Sequence, residues 1–125
     1  EFNPRHAKAL NNLGNAYLGS GNTVQAVECF QRALSIAPTL VDARVNLGAA
    51  LLYQNKLDEA LACLRQAIEE APNNAMAHTN AAVAYLGKGM LADAEREAQE
   101  ALRLDPSYAK AKALLAHIQG LQNAP

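Results

Sequence analysis

Asn12, Asn46 and Asn80 stand 34 residues apart in a chain of 125, and this column of carboxamides is the part of the sequence best suited to contact another molecule. A side-chain amide carries both a donor and an acceptor, so it can match a peptide unit whatever side chain that unit bears. Groups that could make or break bonds are present but scattered. His6, His78 and His117 fall at unrelated places in the 34-residue period, whereas a metal site needs three or four converging ligands. Cys29 and Cys63 are one period apart and so occupy equivalent places. Neighbouring helices pack roughly 8–10 Å apart, beyond the roughly 7 Å between Cα atoms that a disulfide tolerates, so both are expected as free packing thiols. Glu95, Glu97 and Glu100 with Arg96 and Arg103 read as a solvated helix face. There is no H-E-x-x-H, no C-x-x-C and no nucleophile with a base at a recognised spacing. Gly19-x-Gly21 and Gly87-x-Gly89 lack the preceding strand that a phosphate loop requires. Catalysis, a metal and a cofactor are therefore not expected.

The elements that must position the column repeat with it. Leu13-Gly14-x-x-Tyr17, Leu47-Gly48-x-x-Leu51 and Ala81-Ala82-x-x-Tyr85 are in register, each followed by Ala26, Ala60 or Ala94, by Ala33, Ala67 or Ala101, and by Pro38, Pro72 or Pro106. A fixed period of this length marks a repeat architecture, in which each unit buries its apolar face against the next. Apolar residues recur at helical spacing (Leu10, Leu13, Tyr17; then Val24, Val27, Phe30, Leu34). Helices are expected at about 7–19, 23–36, 41–54, 57–70, 75–87, 91–104 and 109–121. Gly21, Asn55 and Gly89 share one column at the breaks, where a left-handed backbone favours Gly or Asn, and the prolines stop the second helix of each pair. Gly14, Gly48 and Ala82 form a small-residue column where two helices can cross closely. The division expected is a tail over 1–6, units over 7–40, 41–74 and 75–108, a capping helix over 109–121 and a tail over 122–125. The cap would turn Leu114, Leu115, Ile118 and Leu121 inward and Lys110, Lys112, Gln119 and Gln122 to water.

Composition narrows the function classes. Half the residues are hydrophobic, much of that alanine, with four Tyr, two Phe and no Trp, which favours closely packed helices over a sheet. Eleven basic and twelve acidic side chains are mixed along the chain for a net charge of −1, so no footprint for nucleic acid or an anionic membrane surface is expected. No apolar run approaches the roughly 20 residues of a membrane span. The chain has no initiator Met, Glu1-Phe2 could be a cloning remnant, and a targeting segment or neighbouring domains could have been cut away. Free cysteines mildly favour the cytoplasm.

The in-register motifs closely resemble the tetratricopeptide repeat family, whose pattern is W-x2-L-G-x2-Y, then A-x3-F, then A and P. Leu10, Leu13-Gly14, Tyr17, Ala26, Phe30, Ala33 and Pro38 carry the first copy, with Leu10 where Trp is common. Departures follow at Arg44 and His78 in the Leu10 column, at Leu51 and Leu64 in place of aromatics, and at Ala81, Ala82 and Ala98. The resemblance implies an all-α, right-handed superhelical solenoid of antiparallel helix pairs with seven helices. It also implies a concave groove, lined by Asn11, Asn12 and Asn15, then Val45, Asn46, Leu52 and Tyr53, then Met76, Thr79, Asn80, Val83 and Leu86, and extended by Lys110, Leu114 and His117. Members that grip acidic chaperone tails use two Lys, two Asn and one Arg. Asn15 and Asn46 match the asparagines, but Asn11, Met76 and Asn80 stand where the cations belong, which argues against that mode. Asn12, Asn46 and Asn80 instead resemble the asparagine ladder in the superhelical arm of the O-linked N-acetylglucosamine transferase. Asn is common at this column in the family at large, so ladder and solvated helix face stand level. The expectation is a non-catalytic module binding a protein or peptide partner. Self-association as a scaffold, or service as the recognition arm of a larger enzyme, are the alternatives.

Overall fold

Asn3 opens the first helix, its side-chain oxygen accepting a hydrogen bond from the Arg5 amide at 3.0 Å while Pro4 supplies the φ suited to a first helical position. The computed structural model describes residues 3–124; Glu1-Phe2, expected as a cloning remnant, and Pro125 lie outside the described residues. Among these there are seven helices and no strand: α1 (Pro4–Gly19), α2 (Thr23–Ile36), α3 (Val41–Tyr53), α4 (Leu57–Glu70), α5 (Ala75–Gly87), α6 (Leu91–Leu104) and α7 (Ala109–Gln122). The cap at Asn3 makes Pro4, Arg5 and His6 helical, where the spacing of apolar residues predicts a tail. α3 stops one residue short of its expected end and α7 runs one residue beyond.

The turn inside each pair has one geometry. Gly21, Asn55 and Gly89 adopt φ of 84°, 59° and 76°, as their shared column predicts. After each, the amide of Asn22, Lys56 or Met90 reaches back to the carbonyl of Tyr17, Leu51 or Tyr85 at 2.8–2.9 Å, and the amide of the left-handed residue bonds the carbonyl of Leu18, Leu52 or Leu86. These are the paired bonds of a Schellman motif. Asn is among the few side chains that tolerate this conformation, which is how Asn55 serves without glycine.

Each helix packs on its sequence neighbours. Beyond that, α1 touches α3, α3 touches α5 and α5 touches α7, whereas α2, α4 and α6 do not meet one another. The first members of the pairs therefore lie closer together and line an inner, concave face, with α2, α4 and α6 on the outside. The result is an all-α solenoid.

Within a pair, the crossing is set by what stands opposite the small-residue column. Phe30 and Leu64 are fully buried, and a Cβ added at Gly14 would come within 2.5 Å of the Phe30 ring, one at Gly48 within 2.6 Å of Leu64. In the third pair both partners shrink together, to Ala82 and Ala98, buried in one cluster with Tyr85, Ala94 and Ile118. Tyr85 from α5 and Ile118 from α7 fill the space that the alanines leave.

Two apolar expectations fail at the ends of the stack. Leu13 is 46% exposed although its equivalents Leu47 and Ala81 are buried, and Leu121 also faces solvent. The reason is positional: α3 has α2 before it and α5 has α4, but no described helix precedes α1 or follows α7. α7 buries only Ala111 and Ile118 completely, with Leu114 and Leu115 half-buried.

Gly14→Ala and Gly48→Ala are each expected to destabilise the fold by about 1–3 kcal/mol through overpacking, outweighing the roughly 1 kcal/mol that Ala gains in helix propensity. Gly19→Ala, with nothing near its added methyl, should be neutral or stabilising. Urea unfolding of the three variants checks this; equal midpoints for Gly14→Ala and Gly19→Ala would show that the close crossing is not limiting.

Candidate functional site

The inner face inherits its side chains from α1, α3 and α5, whose mutual contacts bring the same register positions side by side. Two clefts open along it. The first, of about 360 Å³, is lined by Asn11, Asn12 and Asn15 of α1, by Asp42, Val45 and Asn46 of α3, and by Asn74 and Met76 at the start of α5. The second, of about 230 Å³, lies between α3, α5 and α7 and is lined by Ala49, Leu52, Tyr53, Asn80, Val83 and Lys110. One end of the face is thus dominated by amides and the other by hydrocarbon.

The three asparagines of the 34-residue column are not presented alike. Asn12 is exposed. Asn46 is half-buried, and its Nδ2 donates to Asn11 Oδ1 at 2.9 Å, tying α3 to α1. Asn80 is only 3% exposed, and its Oδ1 accepts from Lys110 Nζ of α7 at 3.4 Å. An even ladder is therefore not what the side chains form: the first rung is free, the second braced, and the third set into the wall.

Other sequence-derived residues divide in the same way. Met76 and Tyr53 are exposed, Tyr53 at 75%, and Asn15, Leu52 and Val83 also line a cleft. Val45 and Asn11 are nearly covered and form wall rather than rim. The expectation that Thr79 faces a ligand is corrected: it is fully buried and its hydroxyl donates to the Ala75 carbonyl one turn back at 2.9 Å. Leu86 lines neither cleft and packs on the core cluster that α5 and α6 share with Ile118 of α7. Asn74 was not foreseen at the site. It caps α5, accepting from the Ala77 amide at 3.0 Å, and Asn directly before a helix start is the signal that could have placed it there.

Away from the concave face, the Leu10 column explains its own departures. Arg44 donates to the Pro38 carbonyl at 2.6 Å and to Glu70 at 3.0 Å. His78 spans the Pro72 carbonyl at 2.8 Å and Glu97 at 2.7 Å. Each replaces apolar packing with a tie between the start of a helix pair and the proline turn before it. Cys29 and Cys63 are free thiols. Burial pushes the Cys63 thiol up from its usual range, with Arg44 only partly offsetting it, which disfavours the thiolate form. Among the described residues no three potential ligands converge on a metal, and no helix is long and apolar enough to cross a membrane.

Comparison with known proteins places these features. Residues 7–40 match one family model of the tetratricopeptide repeat and residues 45–117 match a second. No curated protein sequence matches the chain. Among solved structures, the first such domain of Spaghetti (RPAP3), bound to the HSP90 peptide SRMEEVD, superposes with a TM-score of 0.92 at 20% identity, covering 98% of each chain. The second such domain of human RPAP3, in complex with the HSP70 peptide SGPTIEEVD, gives 0.85 at 24% identity, covering 94% of this chain and 98% of that one. MamA from Desulfovibrio magneticus RS-1, from residue 41 to its end, gives 0.83 at 27% identity over 94% of this chain and 66% of that one.

The unequal settings of the asparagines have a measurable consequence. Asn80→Ala should cost about 1 kcal/mol or more, since it empties a packed position and removes a bond between α5 and α7, while Asn12→Ala should stay within about 0.5 kcal/mol of the parent as an exposed change. Chemical denaturation of both variants tests the contrast, and equal stabilities would mean that Asn80 is not part of the wall.

Proposed function

Because the chain belongs to the tetratricopeptide repeat family, we propose that it is a non-catalytic interaction module which holds a peptide segment of a partner protein along the inner face of α1, α3 and α5. The observation that carries this reading is the pair of clefts on one continuous face, one lined by amides suited to a peptide backbone and one by hydrocarbon suited to a side chain. In this reading the working unit is three repeats over 7–40, 41–74 and 75–108, closed by the helix over 109–121.

The related domains of RPAP3 carry chaperone peptides ending in Glu-Glu-Val-Asp. Transfer of that specificity is opposed by the chemistry of this groove, where Asn11, Met76 and Asn80 supply no charge to a terminal carboxylate. Backbone recognition by Asn12 and Asn46, with apolar contacts from Leu52, Tyr53, Met76 and Val83, fits the residues better.

Self-association is the second reading, favoured by Leu13 and Val24 exposed at one end of the stack and Leu121 at the other. Concentration-dependent light scattering separates the two, since a pure peptide-binding module stays monomeric.

Partners captured on the folded protein can be reduced to their binding peptide and titrated calorimetrically. Replacing Asn12 and Asn46 together by Ala should remove about 1–3 kcal/mol, two hydrogen bonds at roughly 0.5–1.5 each, which weakens binding about fivefold to a hundredfold. An unchanged dissociation constant ends the backbone role of the asparagines. If Leu52→Ala, Tyr53→Ala and Met76→Ala are also without effect, the groove is not the binding surface.

A further inference from the structure

The two clefts differ in charge as well as polarity. Asp42 is the one ionisable group lining the first, and Lys110 the one cation lining the second. Lys110 forms none of the ion pairs among the described residues; its ammonium reaches only the Asn80 carbonyl oxygen, at 3.4 Å across the gap between α5 and α7. An amide whose oxygen is turned toward Lys110 keeps its two N–H donors for a ligand. Beside this polar corner lie Ala49, Leu52, Tyr53 and Val83. The second cleft therefore presents an apolar floor with a free positive charge and an amide at its edge.

Resting on the groove reading above, we infer that the second cleft selects peptide segments in which an apolar side chain stands beside an acidic one, the apolar group seated among Ala49, Leu52, Tyr53 and Val83 and the carboxylate meeting Lys110 and Asn80. The occupant is an acidic side chain within a continuing segment, not a chain end. Lys110 and His117 are both exposed and lie two turns apart on α7, so that side of the helix stays open past the cleft. A single ammonium also offers one point of charge, whereas capture of a terminal carboxylate draws on several converging donors. Asp42 at the far end disfavours acid there and gives the bound segment a direction, with its acidic residue at the α7 end.

This specificity differs in origin from the Lys, Asn and Arg clamp of family members that grip acidic chaperone tails, because the charge comes from α7 and not from the positions of Asn11, Met76 and Asn80.

The test is selection of short random peptides, displayed on phage between linkers so that no free end is offered, on the full chain and on Lys110→Glu and Lys110→Gln. Lys110 is exposed, and helical circular dichroism with thermal melting confirms that each variant folds. The parent should enrich apolar residues flanked by Asp or Glu, Lys110→Glu should enrich apolar residues flanked by Lys or Arg, and Lys110→Gln should lose the charge preference. A parent-selected peptide should bind Lys110→Gln about twofold to fivefold more weakly, the range for an exposed ion pair, with a difference that shrinks in high salt. Peptides that are enriched and displaced by Ala49→Arg, which fills the cleft, but carry no acidic preference, or the same preference on Lys110→Glu, overturn this inference and leave the groove reading standing. Acidic preference found only in a second library with free C-termini overturns the internal-segment assignment. Absence of any enrichment sensitive to Ala49→Arg in either library removes the groove reading and this inference with it.

Discussion

A phenyl ring lying on a backbone is the contact from which the rest of the molecule follows. Phe30 over Gly14, and Leu64 over Gly48, set how closely the two helices of a pair approach, and that approach is far more sensitive to a single methyl than any surface interaction in the chain. With the pair fixed, the stagger between one pair and the next is fixed too, since each stacks its apolar face on its neighbour. The inner face is then a product of packing done behind it. Asn12, Asn46 and Asn80 align because glycine or alanine two positions further on lets the helices close up. In the third pair both residues of the contact are alanine, and the core is completed from outside the pair by Ile118, which makes α7 a structural member of the groove as well as its edge.

Much of this was legible in the sequence because it depends on local geometry repeated three times. A left-handed turn accepts Gly or Asn and little else, so Gly21, Asn55 and Gly89 announce the break between helices. A close crossing accepts only a small residue, so Gly14, Gly48 and Ala82 announce the contact. The unread parts depend on what lies beyond a residue's own repeat. Leu13 has the spacing of a core residue, but no described helix lies before α1 to cover it. Thr79 lies in the groove-facing stripe, yet the stripe is wider than the opening, and α5 is flanked so completely that its hydroxyl turns to its own helix. Pro4 to His6 carry no apolar period, so the cap at Asn3 and the proline after it were the signs that α1 extends through them.

The site was read to the level of the face and not of the individual rung. Equal spacing of the three asparagines implies equal positions along the stack. It carries no information about neighbours that differ from repeat to repeat: Asn11 beside Asn46, Lys110 beside Asn80, and solvent beside Asn12. Sequence divergence between repeats, which looks like loss of the motif, is what gives this groove a polar end and an apolar end. The same holds on the other side of the helices, where Arg44 and His78 break the apolar pattern and in doing so bind each pair to the proline turn before it.

The pattern of helix contacts also bears on how the molecule responds to force. Among the described residues α1 meets only α2 and α3, and α7 only α5 and α6, so the first and last helices share no core. In a stack whose repeats touch only their neighbours, the shape follows from the small rotation at each junction, so a strain applied along the axis is divided among the junctions.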